Sequence, residues 1–193
     1  MTEFPAVTCQ FIQQTDPRFP LVYFTIWSAL LAGLTAAATL WRPNWAWLVP
    51  ARVATTVGVL VSAVIFAAVI APATPTGTWF QPWDDGLVRA ANVLAHGVAP
   101  VFVVVDLCTR RPWRRLSGWL AAAYAWPLTY LAASSALVMF GVGPVYPFLS
   151  PSQCGWSTVL MTIAALIVLV GVLTAILRAL SVVVCRQRNP AQP

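Results

Sequence analysis

Charged side chains are scarce in this chain, and lysine is missing altogether. Only 8% of the 193 residues are charged, and all 11 basic residues are arginine. Soluble domains carry about 25% charged residues, so a water-exposed surface cannot be built from so few. Hydrophobic residues make up 60% of the chain, and the mean hydropathy is +0.79. These values exclude a soluble globular domain and predict a protein that lies in a lipid bilayer.

Metal-binding residues are also scarce. The chain has one histidine and no Cys-x-x-Cys pair, which argues against a zinc site and excludes bis-histidine haem ligation within one chain. We therefore expect no metal and no cofactor. The net charge of +6 does not indicate a nucleic-acid partner, because the arginines lie between apolar runs and form no stripe on a soluble face.

Five runs are long and apolar enough to predict membrane-spanning helices, since a span needs about 20 mostly apolar residues. They do not alternate as strands would, and open sheet edges are not tolerated in lipid. No linker or repeat interrupts the chain, so an all-α transmembrane bundle in a single domain, 1–193, is the simplest prediction. The predicted spans are 19–41, 53–73, 87–106, 116–140 and 156–178, with an outer tail at 1–18 and a cytoplasmic tail at 179–193.

The arginines predict the orientation of the bundle in the cell membrane. Cytoplasmic loops are enriched in basic residues, and five spans would place nine arginines on one side and only Arg18 and Arg89 on the other. We therefore expect the N-terminus outside and the C-terminus in the cytoplasm. The nine are Arg42, Arg52, Arg110, Arg111, Arg114, Arg115, Arg178, Arg186 and Arg188.

This orientation would place Cys9 and Cys154 on the outer side. In an oxidising compartment the two can form a disulfide that ties the N-terminal tail to the loop between spans four and five. Two free thiols are the alternative, because spacing in the sequence does not establish proximity.

An ionisable residue inside a span is costly and is a functional candidate by default. His96 lies near the middle of span three, with Asn92 one turn before it and Pro100 one turn after it. The proline removes a helical hydrogen bond at the His96 carbonyl, so we expect a bend there. A structural, haem-ligating or proton-relaying histidine is the alternative to a catalytic one. Asp106, at the end of the same span, is expected to pair with Arg110 and Arg111.

Span one supplies hydroxyl groups on one face, from Thr25 and Ser28. A threonine hydroxyl becomes a nucleophile when a base such as neutral imidazole takes its proton. Hydroxyls in membrane helices more often bond their own backbone or join helices. The residues alone leave both roles open.

Four short motifs in order resemble those of the bacterial Pr6Pr family of predicted six-span membrane proteins. They are Tyr23-Phe24-Thr25-Ile26-Trp27-Ser28, the spacing His96…Pro100…Asp106, Trp126-Pro127-Leu128 with Tyr130, and Tyr146-Pro147-Phe148-Leu149. Ala29 and Ser150 stand where the family motifs have Asn and Asp. Only a short tail precedes the first motif, so we expect the six-span pattern without its first helix, which leaves room for a partner helix or a homo-oligomer contact.

That family is distantly similar to the androgen-induced and androgen-dependent membrane proteins, which hydrolyse fatty-acid esters of hydroxy fatty acids. The resemblance implies an intramembrane hydrolase in which Thr25 is the nucleophile and His96 the base. Asn92 or Ser28 would orient the imidazole or stabilise the oxyanion.

For the substrate of such a hydrolase, we expect Arg89 or Arg18 to hold a carboxylate. Trp126 and Tyr130 are expected to contribute to its binding. The expected partners are membrane lipid and a hydrophobic small molecule. The alternative is a non-enzymatic protein that binds lipid or a small molecule, or a partner subunit. A secondary transporter is disfavoured because the chain has no repeat symmetry.

Overall fold

The computed structural model describes residues 22–109, 115–141 and 143–188, and these ranges form helices and loops with no strand. The predicted all-helical bundle is therefore confirmed. Its five long helices are α1 (Phe24–Trp41), α2 (Leu48–Ile70), α3 (Gly86–Cys108), α4 (Leu116–Met139) and α5 (Pro151–Arg188).

Each long helix overlaps one predicted span, but the ends differ: α5 continues ten residues beyond the predicted end of span five, into the predicted tail. Four of them, α1, α2, α3 and α5, are long and apolar enough to cross a membrane. The fifth, α4, has 24 residues, so it is about 36 Å long and sufficient for a hydrocarbon core of about 30 Å. Within α5, Gly155 has a φ of 79° and interrupts the helix, which is where the sequence predicted the fifth span to begin.

The second helix, α2, is the centre of the bundle and packs against all four other long helices. Its buried residues Val53, Val57 and Val61 belong to one core cluster with residues from the other helices. Small residues let the first three helices approach closely, because Ala32 of α1 and Ala99 of α3 pack with Val59 of α2.

Two helices contain a wider, π-helical turn. In α2 it covers Phe66–Ile70, and in α3 it covers Leu94–Val98. The second turn ends just before Pro100, which has no N–H to give to the His96 carbonyl. The chain responds with a longer bond, from the Ala99 N–H to the Leu94 carbonyl. The hydrogen-bond pattern of α3 is therefore altered at His96, and π turns are frequent at functional sites. The bend expected there stays a prediction.

The loop assignment of Arg52 was wrong. The apolar run predicts that span two begins at Val53, but α2 begins at Leu48. Arg52 is buried, with 8% of its surface exposed. Its Nε lies 3.4 Å from Oδ2 of Asp106 on α3. A charge normally ends an apolar run, whereas here an opposite charge from a neighbouring helix lets the arginine lie inside the bundle. The predicted partners Arg110 and Arg111 of Asp106 lie outside the described residues.

Candidate functional site

An apolar cavity of about 120 Å³ lies among α1, α2, α4, α5 and the segment 146–149. Its lining includes Leu128 and Ile167, which are also exposed on the surface of the bundle. The cavity therefore opens sideways, toward the region that lipid occupies around a membrane protein. We call it the outer cavity, because α1 begins beside it and the predicted orientation places that end of α1 outside.

Three of the four sequence motifs converge on the outer cavity. Phe24 and Thr25 come from the first motif, while the α4 motif and the 146–149 motif contribute further lining residues. These segments are far apart in the sequence, and the helical packing brings them to one place. The α4 and 146–149 residues in the lining are Pro127, Leu128, Tyr130, Tyr146, Phe148 and Leu149.

Two tyrosines fix the start of α1 at the rim of the cavity. The Tyr146 hydroxyl accepts a hydrogen bond from the Phe24 N–H at 3.1 Å, which satisfies one of the unpaired donors of the helix N-terminus. The Tyr130 hydroxyl donates to the Val22 carbonyl at 2.6 Å. Burial raises the pKa of Tyr146, and the bond from the Phe24 N–H opposes this shift only in part. Tyr146 therefore keeps its proton at neutral pH.

The polar group in the cavity wall is a pair of hydroxyls. Thr25 Oγ1 lies 2.6 Å from Ser62 Oγ of α2, and both residues line the cavity. The rest of the lining is apolar apart from the tyrosines. The surface that the cavity presents is almost entirely apolar. The two hydroxyl groups are therefore set into its wall and bonded to each other.

Ser28 joins α1 to α4 and not to the histidine. It is fully buried, and its Oγ accepts a hydrogen bond from Trp126 Nε1 at 2.9 Å. The Trp126 ring stacks on Phe24, with centroids 5.9 Å apart and planes 14° apart. A methyl group on Gly58 of α2 would lie 2.7 Å from Trp126 Cδ1. The absence of a side chain at Gly58 therefore makes room for this contact.

His96 of α3 lies outside the lining of the outer cavity and packs against a neighbouring part of α2. Its ring stacks on Phe66, with centroids 3.9 Å apart and planes 1° apart. Only 8% of its surface is exposed, and Nδ1 is buried without a hydrogen-bond partner. Since Ser62 and Phe66 are four residues apart, the two contacts are separated by about 6 Å along α2. Among the described residues no hydrogen bond joins Thr25 to His96.

Asn92 is bonded to the loop between α2 and α3, and among the described residues no hydrogen bond joins it to the imidazole. Its Nδ2 donates to the Trp79 carbonyl at 3.5 Å. The Trp79 ring contacts the Phe66 ring edge-on, with centroids 5.4 Å apart. Phe66 therefore contacts both Trp79 and His96. The loop residue therefore covers the ring on which the histidine stacks.

Arg89, one of the two arginines proposed for a substrate carboxylate, does not line the outer cavity. Its Nε donates to the Asp84 carbonyl at 3.1 Å. Arg18 lies outside the described residues. Cys9 also lies outside them, so its disulfide with Cys154 stays a prediction. Of the two aromatic residues expected at the substrate, Tyr130 lines the cavity, and Trp126 packs behind it on Phe24.

Ser62 is the residue of this site that the sequence analysis missed. It is a hydroxyl inside an apolar run, which is the same signal that selected Thr25. The run of α2 also contains Thr55 and Thr56, and Thr55 bonds carbonyls of its own helix. Nothing in the sequence separates a hydroxyl that faces another helix from one that faces its own backbone.

Comparisons with protein-family models, with curated proteins and with solved structures find no match for this chain. The resemblance of its motifs to the Pr6Pr family therefore stays a prediction. The apolar helices identify an integral membrane protein, and any finer function rests on the geometry of the site.

Proposed function

We propose that this integral membrane protein binds an ester-containing lipid, with an acyl chain in the outer cavity and its carbonyl at the Thr25–Ser62 hydroxyl pair. The observation that carries this proposal is the almost entirely apolar surface of the outer cavity, which suits an acyl chain, with the hydroxyl pair set into its wall. Ligand sites of this kind combine an apolar lining with a few polar groups that fix the orientation of the ligand.

The hydroxyl pair retains one O–H hydrogen that can be donated in a hydrogen bond. Two hydroxyl groups carry two hydrogens, and one of these bridges the two oxygens at 2.6 Å. The second hydrogen is directed by rotation and can donate to an ester carbonyl, which has no donor of its own. In the predicted orientation, the cavity opens into the outer leaflet, so the acyl chains of membrane lipids can enter it.

The test is photocrosslinking of the full-length protein in bilayer nanodiscs with a diazirine-bearing long-chain ester, mapped by mass spectrometry. We expect labels on the cavity segments 124–131 and 163–170. A bulky Leu166→Trp substitution in the lining should abolish this labelling. Leu160→Trp is the matched control, because Leu160 lies on the same helix with 61% of its surface exposed. Equal labelling of both variants would show that the lipid lies only on the outside of the bundle.

Ester hydrolysis is a second candidate function. The observation in its favour is the buried Nδ1 of His96, which has no hydrogen-bond partner among the described residues. The His96 ring stacks on Phe66, one helical turn along α2 from Ser62. Thr25 Oγ1 would attack the ester carbonyl, and the imidazole would take its proton and pass it to the departing alkoxide. The products of this step are an acyl-threonine and an alcohol. Water, deprotonated by the same imidazole, would then release the carboxylic acid. The imidazole has to leave its stack on Phe66 to reach Thr25.

Turnover of a fluorogenic long-chain ester by purified protein tests this second candidate. Thr25→Val keeps the shape of the side chain and removes the nucleophile, while Ser62→Ala removes only its partner. We expect Thr25→Val and His96→Ala each to lower turnover at least 100-fold, and Ser62→Ala to lower it less. Turnover that is absent in the wild type, or equal in all four proteins, would leave lipid binding as the function.

A further inference from the structure

A second cavity lies at the opposite end of the bundle, among α1, α2 and α3, and part of its lining is polar. Its volume is about 200 Å³, which is room for several water molecules or a small polar group. The polar lining consists of an arginine, an aspartate and three threonines. They are Thr35 of α1, Arg52, Thr55 and Thr56 of α2, and Asp106 of α3.

The two charges in this inner cavity are held close together but differ in exposure. Arg52 Nε lies 3.4 Å from Asp106 Oδ2, and the side chains are 9% and 44% exposed. Arg52 Nη2 donates to Thr39 Oγ1 at 2.7 Å, and Thr39 Oγ1 in turn donates a hydrogen bond to the Thr35 carbonyl. The guanidinium is thus fixed by α1, while the carboxylate stands at the mouth.

The inner cavity lies just below the membrane surface. Thr39 and Asp106 are each two residues from the end of their helix, and Arg52 is four residues from the start of α2. With a rise of about 1.5 Å per residue, all three lie roughly 3–6 Å inside the helix ends. Trp41 and Trp45 make an edge-on contact at the same end, and the Arg42 guanidinium lies over both rings. Tryptophan favours the level of the headgroups, so the cavity opens at that level.

We propose that the inner cavity binds a zwitterionic group that carries a primary ammonium and a phosphate, as in the headgroup of phosphatidylethanolamine. A simple anion would meet the Asp106 carboxylate beside Arg52, and a simple cation would meet the guanidinium beside Asp106. A ligand with both charges complements both residues: its phosphate faces Arg52 and the Thr35 hydroxyl, and its ammonium faces the exposed Asp106.

A membrane lipid is the source that the position favours. The remaining wall is apolar, from Ala32, Ala36, Phe102 and Val103, and Phe102 is also exposed on the surface of α3. An acyl chain can therefore leave the cavity along α3. This site is formed by residues that take no part in the outer cavity, so its test is independent of the function proposed above.

The experiment measures binding of dioleoyl lipids to the full-length protein by native mass spectrometry, with phosphatidylethanolamine, phosphatidylcholine and phosphatidylglycerol in separate arms. The trimethylated ammonium of phosphatidylcholine has no N–H to donate to Asp106. One hydrogen bond to a charged group corresponds to about a tenfold difference or more, so we expect phosphatidylethanolamine to bind at least tenfold more tightly than the other two.

Asp106→Asn is the decisive variant, because it keeps the size of the side chain and removes the charge. It should reduce the preference for phosphatidylethanolamine over phosphatidylcholine to about onefold. Asp84→Asn makes the same change in the loop between α2 and α3, and it should leave the preference unchanged. Soluble phosphoethanolamine, added as a competitor, should displace the lipid only at much higher concentration. Equal binding of the two lipids by the wild type, a preference for phosphatidylglycerol, or an unchanged preference in Asp106→Asn would overturn the proposal.

Discussion

Replacement of Gly58 by alanine tests the packing that brings α1, α2 and α4 together beside the outer cavity. The added methyl carbon would lie 2.7 Å from Trp126 Cδ1 and 3.1 Å from Ser28 Oγ, whereas carbon atoms in contact are normally about 3.5–4.0 Å apart. The indole cannot easily move away, because it stacks on Phe24 and donates to Ser28. We therefore expect the substitution to destabilise the bundle.

The size of this effect follows from three contributions. Overpacking of a methyl group costs about 1–3 kcal/mol, and loss of the hydrogen bond between Trp126 and Ser28 adds about 0.6 kcal/mol within a membrane. Alanine is favoured over glycine in a helix by about 1 kcal/mol, which opposes both. Together these contributions give a net loss of about 0.6–2.6 kcal/mol in the free energy of unfolding.

Reversible unfolding of the protein in mixed micelles by sodium dodecyl sulfate measures this free energy. Gly97→Ala is the matched control, because a methyl group there has no atom within 4 Å; it should leave the protein equally stable or more stable. In a Trp126→Ala background, Gly58→Ala should lose its effect. A Gly58→Ala protein as stable as the Gly97→Ala protein would refute the packing around Trp126.

Three further substitutions test other parts of the site. His96→Phe keeps the stack on Phe66 and removes the unpartnered nitrogen, so the free energy of unfolding should rise by about 1 kcal/mol; a fall would show that the imidazole has a partner. Tyr146→Phe removes the acceptor of the Phe24 N–H and should cost about 1 kcal/mol in the same assay, with no change counting against the bond. Trp79→Ala should speed amide hydrogen exchange in the loop 71–85, and unchanged exchange would mean that its ring does not hold that loop.

The long helices were predictable from the sequence because length and apolar character alone decide what can cross a bilayer. Residues 24–41 and 116–139 are helical almost where the apolar runs indicated. The start of α2 was not predictable, because Arg52 is a charge and its burial depends on Asp106 from a helix 54 positions later. A hydropathy average over consecutive residues of one helix cannot detect a charge pair between two helices.

The site was predicted only in part, for a related reason. The hydroxyl of Thr25 and the tyrosines were selected from the sequence, and the fold places them at one cavity. The partner of Thr25 was not predicted, because Ser62 and His96 are both polar residues in apolar helices and the rotation of each helix decides which one faces α1. Helix rotation is set by side-chain packing, as at Gly58 and Trp126, and not by hydropathy.

The π turn around His96 fixes the geometry of residues well beyond it. A π turn holds one more residue than an α turn, so every later position in α3 is advanced by one step, which is about 100° of rotation about the helix axis. Asp106 lies ten residues after His96 and points at Arg52 only because of that extra step. Deletion of one residue from 94–98 would rotate the Asp106 carboxylate to another face of α3. The helical register near the middle of the membrane therefore determines whether this charge pair forms near the membrane surface.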